Sequence, residues 1–203
     1  MYLITQSLLS SWEYMYNCFD VQEEEAYNSF LSTLKREHKE PTKAMLSGLE
    51  FENEVYKVSH GKEREPHPKW EQGIQTVAAI IKGAPTQVRT QREIEVCGIK
   101  FLLYGVLDAI KAGVIYDVKF SSKSFGSAEL AGKYLNSPQH PAYMYMEQEA
   151  YKFEYLVSDG NDIYRESYDR KSTRPIAEII EEFITSTKDM GLLDLYKEHW
   201  LAK

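Results

Sequence analysis

Two aspartates stand inside apolar sequence in the stretch YGVLDAIKAGVIYDVKF, Tyr104 to Phe120. Two runs of β-branched and aliphatic residues flank Lys111-Ala112-Gly113, a turn signal with a glycine free to take positive φ. Each run carries one carboxylate, Asp108 and Asp117. Strands alternate faces, so Asp117 and Lys119 point the same way, roughly 7 Å apart, with Ser121 beyond them. Val114, Tyr116, Val118 and Phe120 take the opposite face, which suits a core. Burying an unpaired carboxylate costs on the order of several kcal/mol, so two of them among valines and isoleucines need a charge-balancing partner. Two chemistries satisfy this. In one, a divalent cation sits between the carboxylates and the lysine holds an anionic substrate. In the other, Asp117 and Lys119 neutralise each other on a half-exposed sheet and Asp108 is solvated at a hairpin end.

Parity adds a geometric condition. Directly opposed residues of an antiparallel pair share a face, so Asp108 meets Asp117 only if paired numbers sum to 225. That requires a two-residue Ala112-Gly113 turn, a four-residue loop, or a β-bulge between residues 105 and 120.

A helix over residues 42–59 (TKAMLSGLEFENEVYKVS) has to approach this hairpin. Met45, Gly48, Leu49, Glu52, Val55, Tyr56 and Ser59 share one face through three- and four-residue steps. Glu50 and Glu54 lie on the outer side, which leaves Glu52 alone on the apolar stripe. A glutamate reaching water at the stripe's edge and a buried carboxylate in need of a counter-charge both fit that position.

The remaining elements follow from patterning. Residues 5–19 read as an aromatic-rich helix with Leu8, Trp12, Met15 and Phe19 at core spacing, and a second helix starts at Glu23-Glu24-Glu25 and is closed by Pro41. Residues 60–70 read as a loop, whose His60 and His67 have no metal-ligand spacing. A helix with Ile74, Val77, Ala78 and Ile81 inward ends at Gly83-Ala84-Pro85. Strands at 87–95, 99–110 and 114–120 form a meander. A Ser/Gly-rich loop with a short helix spans 121–136, and a helix interrupted early by Pro141 spans 137–150. Strands at 151–158 and 162–168 make a second hairpin, and amphipathic helices run from Pro175 onward.

Composition sets bounds. The chain of 203 residues is 43% hydrophobic and 27% charged, as expected of one globular domain with a full core. No run approaches a membrane span or a signal peptide. Cys18 and Cys97 are far apart and form no metal-binding pair, so free thiols and an intracellular, cytoplasmic location are expected. The net charge is −7. Residues 1–30 hold five acids and no Lys or Arg, and residues 176–203 hold six acids against three bases, so the middle is close to neutral. Such a distribution permits a nucleic-acid groove without demanding one.

In chain order the motifs are Gly48-Leu49-Glu50-Phe51-Glu52, Gly105-Val106-Leu107-Asp108, Asp117-Val118-Lys119 and Gln139-His140-Pro141-Ala142-Tyr143. This ordered set resembles the PD-(D/E)XK nuclease superfamily, in its RecB-like and phage-exonuclease branch. The resemblance covers about residues 44–145. It implies an α/β, restriction-endonuclease-like core, a central mixed β-sheet flanked by helices in αβββαβ order. On that basis residues 1–41 are a helical N-terminal extension, 42–170 the catalytic core and 175–203 added C-terminal helices.

The activity implied is metal-dependent hydrolysis of DNA phosphodiester bonds, in the manner of an exonuclease, in repair, recombination or phage DNA processing. Asp108, Asp117, Glu52 and the Val118 carbonyl are the implied ligands of one or two Mg²⁺ or Mn²⁺ ions. Lys119 is implied to orient water and offset phosphorane charge. Gln139 and Tyr143 contact DNA or order the ligand shell, and Ser121, Lys123 and Ser124 are phosphate contacts or plain loop residues. Iron–sulfur members with a cysteine after a Ser-rich helix need four cysteines, so no iron–sulfur cluster is expected here. DNA is the expected partner, with a homo-oligomer or a recombination or helicase subunit beside it and no membrane. A non-catalytic or regulatory DNA-end-binding module on the same scaffold is the alternative.

Overall fold

The computed structural model describes residues 1–19, 22–122 and 131–202. Its sheet is built on β3 (Ile99–Lys111), which has neighbours on both edges. β2 (Thr86–Val96) runs antiparallel along one whole edge, from Val96 against Ile99 to Thr86 against Ala109. The other edge is shared. β1 (Tyr2–Thr5) lies parallel to Phe101–Tyr104, and β4 (Val114–Phe120) lies antiparallel to Ala109–Lys111. β4 then pairs parallel with β5 (Lys152–Ser158), and β5 antiparallel with β6 (Ile163–Asp169), completing a six-stranded mixed sheet.

The β3–β4 turn is the even-length one that parity called for. Ala112 and Gly113 both have positive φ, 48° and 76°, as a two-residue type I′ turn requires. The pairs Lys111–Val114, Ile110–Ile115 and Ala109–Tyr116 each sum to 225.

Helices cover both faces. α3 (Lys43–Ser59) and α4 (Glu71–Ile81) put Phe51, Val55, Ile74, Val77 and Ile81 against Val118 and Leu156. On the other face lie α1 (Gln6–Tyr16), α2 (Glu23–Leu34), α5 (Gln139–Met146), α6 (Ile176–Asp189) and α7 (Leu193–His199). There Leu8, Phe30, Phe183 and Tyr196 share one core with Phe101, Leu103 and Phe153. The order α3–β2–β3–β4–α5–β5 is αβββαβ with α4 inserted, a restriction-endonuclease-like core with added terminal helices. α5 is buried on nearly every side, as a helix with little amphipathicity must be. Its His140 is sealed between the Tyr168 ring, 4.0 Å away, and the Tyr155 hydroxyl, and burial lowers its pKa to about 4, so it is neutral.

Several local expectations need correction. β1 precedes the first helix, and Thr5 is both its last residue and the N-cap of α1, accepting from Leu8 N at 3.3 Å. α1 ends at Tyr16, so Phe19 leaves the core and is 83% exposed. α2 stops at Leu34, well before Pro41, and α5 occupies only the centre of the 137–150 span. Residues 131–136 form turns, and residues 123–130 of the expected loop and short helix lie outside the described residues. Among the described residues no helix is long and apolar enough to cross a membrane.

Candidate active site

Site geometry begins where β3 and β4 part. Continued antiparallel pairing would set Asp108 against Asp117 and Leu107 against Val118, but the ladder stops at Ala109–Tyr116. From Val114 to Phe120 the outer edge of β4 belongs to β5. Between Tyr104, the last partner of β1, and Ala109, the first partner of β4, no strand among the described residues lies beside one edge of β3. Its polar groups must find other partners. The Val106 carbonyl accepts from the Tyr143 hydroxyl at 3.0 Å, and Asp108 Oδ2 accepts from Val118 N at 2.8 Å. The Asp108 carboxylate thus bridges the fork and holds the two acidic strands at a fixed separation. The side-chain alternation of β3 also breaks here, since Leu107 joins the core under α1 and α5 while Ala109 joins the core under α3 and α4.

Asp117 is only 3% exposed while the Lys119 side chain keeps 36% exposure, so the acid–base face read from the strand pattern is closed at its acid and open at its base. Gln139 Nε2 donates to Asp117 Oδ1 in a short hydrogen bond. Asp117 Oδ2 is buried and accepts no well-aligned hydrogen bond, although the Lys119 ammonium meets it at 2.8 Å as a charge contact. Burial raises the pKa of Asp108 well above the usual carboxylate range, and the charges of Asp117 and Glu52 raise it further. Burial also raises Glu52, with the Tyr56 hydrogen bond opposing it and the Asp117 charge adding to it. Burial alone would lower Lys119, but the Asp117 carboxylate overrides this and holds the ammonium above its ordinary range. Three carboxylates therefore share one neighbourhood with a single close cation among the described residues. Such a set attracts a hard divalent cation.

The donors fit a metal in kind and in charge, and Asp117 Oδ2, buried and held only by the Lys119 ammonium, supplies an oxygen for it. Among the described residues, however, no group of three or more His, Cys, Asp or Glu is preassembled as a cage. In this state Lys119 and Gln139 occupy the Asp117 carboxylate.

The raised Asp108 pKa has a stability consequence. In the folded, metal-free protein Asp108 binds its proton above the unfolded value of about 4, so its ionisation destabilises the fold as pH rises through that window. Asp108→Asn keeps an acceptor for Val118 N and carries no charge. In EDTA its melting temperature should exceed that of wild type by roughly 2–4 °C at pH 7, a change of about 1 kcal/mol, and the gap should close toward pH 4. Differential scanning fluorimetry across pH checks this; a lower melting temperature at pH 7 contradicts it.

α3 brings Glu52 to the fork. Thr42 caps the helix by accepting from Met45 N at 3.2 Å, and Phe51, Val55 and Tyr56 anchor its second half. Glu52 is half-buried on that anchored side. Glu50 is exposed, as the helix wheel requires, but Glu54 is not free in solvent: Lys57 Nζ lies 2.6 Å and Arg64 Nε 3.5 Å from its oxygens. The first half of α3 overhangs the body, leaving Met45 at 63% and Leu49 at 55% exposure despite their place on the stripe. Gly48 has open space where a Cβ would stand. Gly48→Ala should therefore stabilise the protein by about 0.5–1 kcal/mol through helix propensity, measured by urea unfolding. A destabilised variant would show that the helix is not the free-standing element described.

Of the other predicted residues, Gln139 and Tyr143 are both buried. Burial pushes the Tyr143 pKa up to about 12, with the Asp117 and Asp108 charges adding to it, so its hydroxyl remains a donor to Val106. Ser121 follows β4, and its N–H donates to the Ser158 carbonyl at 2.8 Å. The Val118 amide is committed to Asp108 and its side chain to the α3–α4 core. Lys123 and Ser124 lie outside the described residues.

Sequence reasoning missed two groups. Tyr56, read only as a core residue, donates its hydroxyl to Glu52 Oε1 at 2.7 Å. Gln87 Nε2 reaches the same oxygen at 3.0 Å and the Tyr56 hydroxyl at 2.9 Å. A signal for Gln87 existed in register: a two-residue Cys97-Gly98 turn, with φ of 52° and 70°, sets β2–β3 pairs to sum to 195, which places Gln87 level with Asp108.

The core is a mixed α/β sheet flanked by helices, and the fork opens between two of its strands. No family model matches the chain, and no curated protein matches it. Among solved structures, one described as the crystal structure of SSO0001 superposes with a TM-score of 0.54 at 17% identity, covering 92% of this chain and 77% of that one, a likeness of fold. A structure of LHK-Exo in complex with dAMP gives a TM-score of 0.44 at 13% identity, covering 96% and 92%.

Proposed function

We propose that the protein is a metal-dependent deoxyribonuclease, acting as an exonuclease at the fork between β3 and β4. The observation that carries this reading is the Asp108 bridge to Val118 N, which gathers Asp108, Asp117 and Lys119 from two strands at the place where Glu52 arrives from α3. Asp108, Asp117, Glu52 and the Val118 carbonyl would hold Mg²⁺ or Mn²⁺. When bound, the ion supplies Lewis-acid polarisation of a phosphate and a more acidic water.

The chain's own residues do the remainder. Lys119 orients the attacking water and offsets the charge that develops on the pentacoordinate phosphorus. Gln139 fixes the Asp117 carboxylate by its hydrogen bond to Oδ1. Tyr143 fixes the open edge of β3 and so the position of Asp108.

Incubation of linear and covalently closed circular DNA with the protein and Mn²⁺ tests this. Release of nucleotides from linear DNA with circular DNA intact is the expected result. Cleavage of both would make the enzyme an endonuclease. Folded protein that leaves both intact with Mg²⁺ and with Mn²⁺ would reject hydrolysis and favour a DNA-end-binding module.

A further inference from the structure

We propose that Gln87 and Tyr56 are positioning residues that clamp Glu52 by one oxygen and leave the other free for a divalent cation, an inference that rests on the metal-dependent reading above. Two donors converge on Glu52 Oε1, the Tyr56 hydroxyl at 2.7 Å and Gln87 Nε2 at 3.0 Å. They also bond each other at 2.9 Å, closing a three-membered network. Among the described residues none donates to Glu52 Oε2.

The clamp solves a problem of two bodies. Glu52 rides on α3, whereas Asp108 and Asp117 belong to the sheet. A glutamate with free rotamers loses on the order of 1.5–2 kcal/mol of side-chain entropy when it is ordered on a ligand. Gln87 removes that freedom beforehand, and it does so from the right level of the sheet. The β2–β3 pairs on either side of it, Thr86–Ala109 and Val88–Leu107, place it across from Asp108. The helix-borne carboxylate is thereby tied to the strand that carries its fellow ligand.

Backbone conformation points the same way. Gln87 lies within a strand at φ 54°, in the left-handed region, where a side chain other than Gly, Asn or Asp costs on the order of 1 kcal/mol. Glycine or asparagine would suit that backbone better. Neither has an amide that reaches Glu52: glycine has none, and asparagine is one methylene shorter.

These two facts separate a positioning role from a structural one. Gln87→Gly and Gln87→Asn should keep or raise the melting temperature in EDTA, yet each should weaken Mn²⁺ binding about tenfold or more, measured without DNA by electron paramagnetic resonance of free Mn²⁺. Tyr56→Phe keeps the ring in its core and should also weaken Mn²⁺ about tenfold, and the Gln87→Gly/Tyr56→Phe double variant should lose less than the product of the single losses. Wild-type protein that binds Mn²⁺, with all variants binding within twofold of it, overturns this inference alone. Wild-type protein that binds no Mn²⁺ overturns it together with the metal-dependent reading.

Discussion

Asp117→Asn should lower Mn²⁺-dependent hydrolysis of linear DNA by at least about 10²-fold while the protein stays folded, because it removes charge from the most enclosed carboxylate of the site. Asparagine is nearly isosteric with aspartate and still offers an oxygen to Gln139 Nε2, so the packing around α5 has no reason to change. What changes is the balance of charge. Lys119 loses the carboxylate that meets it at 2.8 Å and that holds its pKa up against burial. With its side chain 36% exposed, the ammonium can remain hydrated, so the fold survives. Circular dichroism and nuclease assays on the same preparation read the two halves of the prediction. Wild-type rates in the variant would remove Asp117 from the chemistry and return the Asp117–Lys119 contact to a structural ion pair.

Gly105→Val should cost about 3 kcal/mol of stability, or roughly 10 °C in melting temperature. A Cβ at Gly105 runs into the Tyr143 ring, with the Met146 methyl only 3.2 Å away. Tyr143 has nowhere to go. It is buried, its ring lies parallel to Phe153 at 6.1 Å between centroids, and its hydroxyl serves the Val106 carbonyl. Displacing it would leave that carbonyl without a donor on the open edge of β3. The fork therefore has no room for an added side chain at Gly105, in contrast to Gly48, whose surroundings are open. A melting temperature within 2 °C of wild type would contradict the close packing of α5 on β3.

How much of this was legible before the structure differs from element to element. The β3–β4 register was legible in part: parity required an even-length turn or a bulge if Asp108 is to oppose Asp117, and the fold takes the two-residue Ala112-Gly113 turn among those alternatives. The fork was not. Two alternating strands on either side of a turn say that they pair, but not how far: the β3–β4 ladder ends at Ala109–Tyr116, while β4 stays paired through Phe120 on its other edge with β5, over thirty residues later. The Asp108–Val118 hydrogen bond forms where that ladder has ended, so it could not be read from the pairing pattern.

The helix wheel of α3 put Val55, Tyr56 and Ser59 inward with Glu52 beside them, as found, but left Phe51, which is fully buried, off the stripe. Periodicity says nothing of whether a surface waits opposite that face, and at Met45 and Leu49 none does. β1 was hidden because four residues before a helix cap carry too little pattern to declare a strand, and its partner, Phe101–Tyr104, is a hundred residues away. Gln87 was hidden by its type. A polar residue on an edge strand reads as a solvated one, and only the Cys97-Gly98 turn, weaker as a signal than Asn-Gly, would have set it level with Asp108.

The central claim is that the gap between β3 and β4 is a divalent-cation site for phosphodiester hydrolysis. Crystals grown without metal and soaked in Mn²⁺ test it by anomalous difference density. A peak within about 2.0–2.6 Å of a carboxylate oxygen of both Asp108 and Asp117, with Lys119 displaced from Asp117, is the predicted result. No peak between these carboxylates, with Lys119 still 2.8 Å from Asp117, would contradict it.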